Sequence, residues 1–237
     1  MDTAVIAGVG AERGLGAQLC LRFASLGMHV LVAGRTQEKL DVIVEKIAEA
    51  GGSAEAVQTD VTQEADIQAL FSKVNGKLTL AIYNAGNNTP GAIQDMTADY
   101  FEASWRVACF GAFLFAREAS RIMSEQGSGT ILFTGASASL RGKANFGAFT
   151  AAKAGLRQMA QALAKECGPQ GIHVAHVIVD GAINGERVAK RYPEYAARLQ
   201  EDGINLEGIV DAYQYLFEQQ NKAWSFELDL RTSTENW

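Results

Sequence analysis

The sequence predicts one α/β domain in which a parallel sheet is covered by helices on both faces. Short apolar runs rich in branched residues alternate with longer amphipathic stretches along the 237 residues. This alternation is typical of parallel strands joined by right-handed helical crossovers. The runs are apolar at nearly every position, as in strands that are buried on both faces. No linker, repeat or low-complexity segment interrupts the pattern, so we expect residues 1–237 to form a single domain.

Each element follows from its local periodicity and from the residues that bound it. The helix after the first strand carries apolar residues at helical spacing, and the next helix ends at two glycines, Gly51 and Gly52. The predicted strands are residues 5–7, 30–33, 54–58, 78–83, 130–134, 173–179 and 225–230. The predicted helices are residues 16–26, 37–50, 66–74, 99–126, 149–167 and 206–219.

Charge and composition exclude several classes of protein. The net charge of −6 provides no basic surface for nucleic acid, so we expect no nucleic-acid partner. Cys20, Cys109 and Cys167 are scattered and odd in number, which fits neither a disulfide framework nor a metal site. No basic segment followed by a long apolar one opens the sequence, and no apolar run approaches the roughly 20 residues that span a bilayer. We therefore expect a cytoplasmic protein without a membrane partner or a bound metal.

A glycine-rich segment, G-A-E-R-G-L-G at residues 10–16, follows the first strand. The spacing G-x-G-x-x-G fails when it is counted from Gly8, because Arg13 stands at the third glycine, but Gly10, Gly14 and Gly16 fit G-x-x-x-G-x-G. Such glycines allow a tight turn, and the N-terminus of the following helix offers N–H groups to a pyrophosphate. Glycines also serve ordinary tight turns. The position at the end of the first strand favours a dinucleotide site and a Rossmann-type fold.

The end of the second strand indicates which dinucleotide is preferred. Arg35 stands where an acidic residue would accept hydrogen bonds from the adenosine ribose of NAD(H). A guanidinium instead pairs well with a 2′-phosphate, and Arg13 in the glycine segment could lie on the same side. The alternative is that Arg35 is a solvated surface charge. We expect NADP(H) to be favoured over NAD(H).

Further motifs accompany the glycine segment. They are Asp60-Val61 after the third strand, Asn84-Ala85-Gly86 after the fourth, and Lys153 at the end of F-T-A-A-K. Together these motifs resemble the classical short-chain dehydrogenase/reductase family over nearly the whole chain. The resemblance implies a seven-stranded doubly wound sheet, assembly as a homodimer or homotetramer, and an oxidoreductase that uses a nicotinamide dinucleotide. The implied cofactor contacts are Gly10, Arg13, Gly14, Leu15, Gly16, Arg35, Asp60, Val61, Asn84, Ala85, Gly86, Lys153 and Ile183.

The catalytic tetrad of that family, Asn, Ser, Tyr and Lys, is mostly absent. In the family the Tyr is the acid/base, and the Lys lowers its pKa and holds the nicotinamide ribose. Phe149 stands at the Tyr position, Ala136 at the Ser position and Ala108 at the Asn position, so only Lys153 remains.

Two serines flank the Ser position and could replace it. Ser137 and Ser139 differ from Ala136 by an odd number of residues, which turns a side chain to the other face of a strand. Ser137 could still face the site if the strand has already ended there, and we carry it with Lys153 as a candidate catalytic residue.

Other polar side chains near the tetrad positions are expected to be structural. Cys109 points about 100° away from Ala108 on a helix, which places it in the core. We expect His173 and His176 to be packed or hydrogen-bonded within the sixth strand, and Tyr83 to replace the first Asn of the family's N-N-A-G structurally.

The loop after the sixth strand also departs from the family. Its P-G-x-I-x-T corresponds to D-G-A-I-N-G at residues 180–185, with the register uncertain by one residue. The main chain of Ile183 could still meet the carboxamide of the cofactor. Residues 186–203 occupy the place of the family's substrate lid.

Two functions remain open on these observations. The first is an NADP(H)-dependent oxidoreductase of atypical mechanism, whose unknown small substrate would lie against an apolar wall of Ala136, Phe146 and Phe149. A substrate that needs no proton from the protein could still be reduced, because hydride transfer mainly needs geometry. The second is an inactive protein of the same fold that serves as a cofactor-binding sensor or an oligomeric partner.

Overall fold

The computed structural model of the chain describes residues 1–186 and 202–234. Its strands are β1 Asp2–Ala7, β2 His29–Gly34, β3 Ser53–Gln58, β4 Lys77–Tyr83, β5 Gly129–Thr134, β6 Ile172–Asp180 and β7 Glu227–Arg231. Its α-helices within these residues are α1 Leu15–Ser25, α2 Gln37–Glu49, α3 Glu64–Ser72, α4 Ala98–Trp105, α5 Gly111–Gln126, α6 Gly147–Cys167 and α7 Leu206–Phe217. The strand and helix alternation predicted from the sequence is confirmed.

The seven strands form one parallel sheet in the order β3-β2-β1-β4-β5-β6-β7. The order reverses between β1 and β4, and ligands of open α/β sheets bind outside the carboxyl ends of the strands at such a point. The glycine turn, which we define as residues 8–16, begins there. The predicted Rossmann-type doubly wound fold is therefore confirmed.

Two apolar layers hold the helices against the sheet. On one face α1, α2 and α7 contribute fully buried side chains such as Phe23, Ile43 and Tyr213. On the other face α3, α5 and α6 contribute Ile67, Phe115 and others. Burial of apolar surface at about 25 cal/mol per Å² makes these layers the main source of stability. No helix in the described ranges is long and apolar enough to cross a membrane.

The structure differs from the sequence prediction in the helix predicted over residues 99–126. Residues Arg106–Phe110 form a π-helical segment that separates α4 from α5. The hydroxyl of Tyr83 donates a hydrogen bond to the main-chain carbonyl of Val107 within this segment. A Cβ at Gly111 would lie 2.5 Å from the Tyr83 hydroxyl and 2.7 Å from the Val61 carbonyl, so the close approach requires glycine. The predicted helix is thus interrupted where β4 packs against it.

Candidate functional site

The glycine turn is packed so closely against β4 that its first residue must be glycine. Gly8 has φ +92°, and a Cβ there would collide with the main-chain nitrogen of Ala85. A Cβ on Gly16 would lie 2.9 Å from the Gly8 carbonyl and 3.1 Å from Nδ2 of Asn84. Asn84 completes the packing by donating from Nδ2 to the Gly8 carbonyl at 3.2 Å. Glycine at these positions therefore lets the turn lie against the strand that carries Asn84.

The N-terminus of α1 lies open within this turn. Gly14 is the N-cap of α1, no side chain of the described residues caps the helix, and no acidic residue lies in its first turn. A Cβ on Gly10 would have none of the described residues within 4 Å, so they leave space on that side of the turn. The free N–H groups and the positive end of the helix dipole at Leu15 and Gly16 can therefore receive an anion such as a phosphate.

Arg13 and Arg35 are both exposed near the carboxyl ends of β1 and β2. Within the described residues neither guanidinium makes a hydrogen bond or an ion pair. The main chains of both residues are anchored: Glu186 donates from its N–H to the Arg13 carbonyl at 3.0 Å, and Gln58 donates from Nε2 to the Arg35 carbonyl at 3.0 Å. Each cation thus extends from a fixed main chain.

Asp60 and Val61 follow β3, and Ala85 and Gly86 follow β4, as the sequence predicts. The Asp60 carboxylate accepts hydrogen bonds from the N–H and the hydroxyl of Thr62, at 2.9 and 2.8 Å. Val61 and Ala85 are buried. These residues therefore border the same edge of the sheet as the glycine turn, with the Asp60 carboxylate engaged in its own loop.

Lys153 is buried at the carboxyl end of β5. Its Nζ donates a hydrogen bond to the Thr134 carbonyl at 2.6 Å, and a Cβ on Gly86 would lie 3.5 Å from the same nitrogen. Burial lowers the pKa of Lys153 from 10.5 to about 8, because the charged ammonium loses its hydration. Lys153 can therefore change its charge close to neutral pH.

Phe149 precedes Lys153 by one turn of α6, which begins at Gly147, two residues earlier than predicted. The Phe149 ring is half-buried, and its centroid lies 6.0 Å from Nζ of Lys153. The ammonium lies over the face of this ring, which is apolar and carries no exchangeable proton.

Ala136 and Ser137 lie beyond the end of β5, which ends at Thr134. Ala136 has extended backbone, and Ser137 begins a short 3₁₀ turn, Ser137–Ser139. The strand has therefore ended before Ser137, which is the condition under which we carried Ser137 as a candidate. Its side chain is half-buried. We define Ala136, Ser137, Phe149 and Lys153 as the Lys153 region.

Ala108 and Cys109 both lie in the π-helical segment. Ala108 is fully buried. Cys109 is only half-buried, so its predicted place in the core is wrong. A Cβ on Gly155 would lie 3.0 Å from its Sγ, which places the thiol against α6, and burial raises its pKa. The prediction assumed the angle of about 100° between successive residues of an α-helix, which does not apply in a π-helical segment.

The last residue of β6, Asp180, is a buried acidic residue at the position where the resemblance places a proline. Asp180 is 1% exposed, and both its oxygens accept from Nη2 of Arg141, at 3.1 and 2.9 Å. Farther along, the Ile183 carbonyl accepts from Gly185 at 2.8 Å, and Ile183 forms a β-bridge with Ile204. The predicted lid at residues 186–203 lies, from residue 187 to residue 201, outside the described residues.

A polar network that the sequence did not predict links these parts. The Thr134 hydroxyl lies 2.6 Å from the hydroxyl of Tyr213 on α7 and donates to Oδ1 of Asn84 at 3.0 Å. With one proton on each hydroxyl, Tyr213 donates to Thr134. The network joins α7, β5 and the glycine turn across 79 residues of sequence, so no local pattern reveals it.

The sheet order and the turn between β1 and α1 place the chain among the Rossmann-type α/β proteins. Residues 3–196 match the family model of the short chain dehydrogenases. The chain therefore belongs to the short-chain dehydrogenase family, whose members are oxidoreductases that bind NAD(P).

Three relatives illustrate the similarity. The uncharacterized oxidoreductase YuxG of Bacillus subtilis is 32% identical over 185 residues, which are 76% of this chain but 27% of that protein. A short-chain dehydrogenase from Rhodopseudomonas palustris is 34% identical with a TM-score of 0.83, over 98% of both chains. A metagenomic short-chain oxidoreductase in complex with NADP is 25% identical with a TM-score of 0.83, over 99% of this chain and 98% of that one.

Proposed function

We propose that this chain binds NADP(H) and acts as an oxidoreductase of atypical mechanism on a small apolar substrate. The observation that carries the binding half of the proposal is the uncapped N-terminus of α1 beside the open side of Gly10. An uncapped helix N-terminus stabilises a phosphate through its N–H groups and its dipole. Gly10, Gly14, Leu15 and Gly16 would hold the pyrophosphate.

Exposed, unpaired arginines favour the phosphorylated dinucleotide. Arg35 follows β2, at the position whose side chain normally contacts the adenosine ribose. Arg13 extends from the glycine turn. No carboxylate neutralises either guanidinium within the described residues. We assign both to the 2′-phosphate, with Asp60 and Val61 beside the adenine.

The Lys153 region fits the other half of the cofactor only in part. Lys153, Asn84, Ala85, Gly86 and the main chain of Ile183 would hold the nicotinamide riboside. Bound NADPH supplies a hydride. Phe149 and Ala136 exclude water and offer apolar contacts, but they neither donate a proton nor polarise a carbonyl.

Of the four tetrad positions, only that of Lys153 carries an ionisable side chain. Its lowered pKa of about 8 means that ammonium and amine both exist near neutral pH, as an acid or base working there requires. In a reduction Lys153 would release a proton from Nζ, and in an oxidation it would accept one. Ser137 would orient the reacting oxygen.

A second function, cofactor binding without turnover, is favoured by one specific observation. Three positions that carry polar catalytic side chains in the family carry apolar ones here: Ala108, Ala136 and Phe149. General acid–base catalysis contributes about 10²–10⁴-fold, so their loss can reduce turnover to a negligible rate. The chain would then be a sensor of NADP(H) or a partner in an oligomer.

The test is a fluorescence titration with NADPH and with NADH, followed by a carbonyl panel. We expect NADPH to bind at least about tenfold more tightly than NADH. We also expect ordinary carbonyl compounds to give negligible NADPH oxidation. Equal or absent binding contradicts the cofactor assignment, and rapid turnover of ordinary ketones contradicts the role given to Phe149.

A further inference from the structure

Four linked polar side chains, two of them buried and two partly exposed, lie beside the Lys153 region. His176, fully buried on β6, lies 3.0 Å through Nδ1 from Oε2 of Glu227 on β7 and 3.4 Å through Nε2 from the Ser139 hydroxyl. Arg157 on α6 binds both oxygens of Glu227, at 2.6 and 2.8 Å. We call Ser139, His176, Glu227 and Arg157 the histidine network.

The hydrogen bonds of this network can be satisfied by only one assignment of donors and acceptors. Burial lowers the pKa of His176 to about 4, so the imidazole is neutral at neutral pH, and the hydrogen bonds from Arg157 lower the pKa of Glu227. The ionised Glu227 can only accept, so Nδ1 of His176 carries the proton. Nε2 is then an acceptor, and the Ser139 hydroxyl donates to it.

The network ends on the main chain of the Lys153 region. The Ser139 oxygen, with its proton directed to His176, accepts the N–H of Ala136 at 3.2 Å. A Cβ on Gly135 would overlap Nε2 of His176, so the ring fills the space that a side chain at 135 would take. Arg157 also lies one turn beyond Lys153 on α6. The network thus ties the segment before Ser137 to the helix that carries Lys153.

We propose that Ser139, His176, Glu227 and Arg157 are positioning residues that set the Ala136–Ser137 segment against Lys153, and so shape the nicotinamide side of the site. The order hydroxyl, imidazole, carboxylate is also that of a hydrolytic triad. Ser139 is 6% exposed and His176 fully buried, so neither is open to a substrate. The expected effect on the cofactor rests on the proposed binding of NADP(H). The assignment of donors and acceptors within the network does not.

The first experiment reads the network in the free protein. With ¹⁵N-labelled imidazole, we expect His176 to show the neutral Nδ1–H tautomer at neutral pH. In Ser139→Ala the Nε2 signal should shift because it loses its donor. A dominant Nε2–H tautomer overturns the network as drawn. A fluorophosphonate probe should not label Ser139, and labelling there would make it a nucleophile instead.

The second experiment separates positioning from mere stability by comparing two ligands. NADPH reaches both halves of the site, whereas 2′,5′-ADP reaches only the adenosine half. In Ser139→Ala and His176→Asn we expect the NADPH dissociation constant to rise about threefold to tenfold, the equivalent of one hydrogen bond, with that of 2′,5′-ADP unchanged. Equal changes in the two dissociation constants, or no change in either, overturn the proposal.

Two further variants serve as controls. His173 is the other buried histidine of β6, but it binds the Ser225 carbonyl at 2.9 Å and stacks on Trp224. His173→Asn should lower the melting temperature without changing the ratio of the two constants. Gly135→Ala should reproduce His176→Asn, and should cost nothing further in a His176→Ala background. If the wild type binds neither ligand, the proposed function fails, while the imidazole spectrum still decides the network.

Discussion

The glycine turn and the Lys153 region lie at the same edge of the sheet, but they are built differently. The phosphate contacts proposed for the turn are main-chain N–H groups, and its packing depends on the absence of a side chain at Gly8 and Gly16. The Lys153 region depends on side chains, and two of them, Phe149 and Ala136, lack polar atoms. A main-chain site persists as long as the turn folds, whereas one substitution can remove a catalytic group. Cofactor binding and turnover are therefore separate properties of this fold, to be tested separately.

The largest expected effect comes from restoring the side chains of the Lys153 region. If the site keeps the geometry of the family's tetrad, Ala136→Ser with Phe149→Tyr should raise the rate of carbonyl reduction by about 10²–10⁴-fold. The new Tyr would supply a proton, and the new Ser a hydrogen bond. Steady-state oxidation of NADPH with a panel of ketones measures this gain. Phe149→Tyr alone, which leaves Ala136 unchanged, is the matched control and should gain less. A double variant that binds NADPH but stays inactive would show that the geometry itself has changed.

The next effect concerns the glycine turn. Gly10→Asp should weaken NADPH binding by at least about 4 kcal/mol, because its carboxylate would enter the open side of the turn and repel the pyrophosphate. The free energy of unfolding should change little, since a Cβ at residue 10 would have no described residue within 4 Å. Calorimetric titration and urea unfolding give the two quantities.

Gly34→Ala is the contrasting control for this experiment. A Cβ at Gly34 would collide with the Val9 carbonyl, so this variant should lose stability first. Unchanged NADPH affinity in Gly10→Asp would place the cofactor elsewhere.

The buried charge of Lys153 predicts a smaller, pH-dependent effect. Its folded pKa is about 8 against 10.5 in the unfolded chain, so the unfolded state binds more protons between these values and stability rises with pH there. Below pH 8 the cost of the buried ammonium is fully present. Lys153→Met should therefore be more stable than the wild type near neutral pH, by at most about 3 kcal/mol, less the lost bond to Thr134.

Urea unfolding of both proteins near neutral pH and again at about pH 11, above both pKa values of Lys153, tests this. The stability advantage of Lys153→Met should vanish at the higher pH, because Lys153 is then uncharged in both the folded and the unfolded wild type. An advantage that is the same at both pH values would mean that burial does not lower the pKa of Lys153.

The sequence was sufficient for the fold because strand and helix periods are local. The glycine turn was equally readable, since Gly10, Gly14 and Gly16 lie within seven residues. The π-helical segment was not, because its apolar residues also fit an α-helix and its partner Tyr83 is 24 residues away. The histidine network was missed for the same reason: Glu227 is 51 residues from His176 and 70 from Arg157, and such pairs form only through the sheet.

The smallest effect refines the comparison most, because it asks whether a side chain outside the glycine turn, that of Arg35, contributes to cofactor binding. Arg35 is exposed, so removing it should not disturb the fold. Arg35→Ser should weaken NADPH by about tenfold and leave NADH unchanged, since only NADPH carries the 2′-phosphate. Lys39→Ser, which removes an exposed cation in the first turn of α2, is the matched control. If Arg35→Ser weakens both cofactors alike, Arg35 acts only through general charge, and selectivity must come from the main chain of the turn.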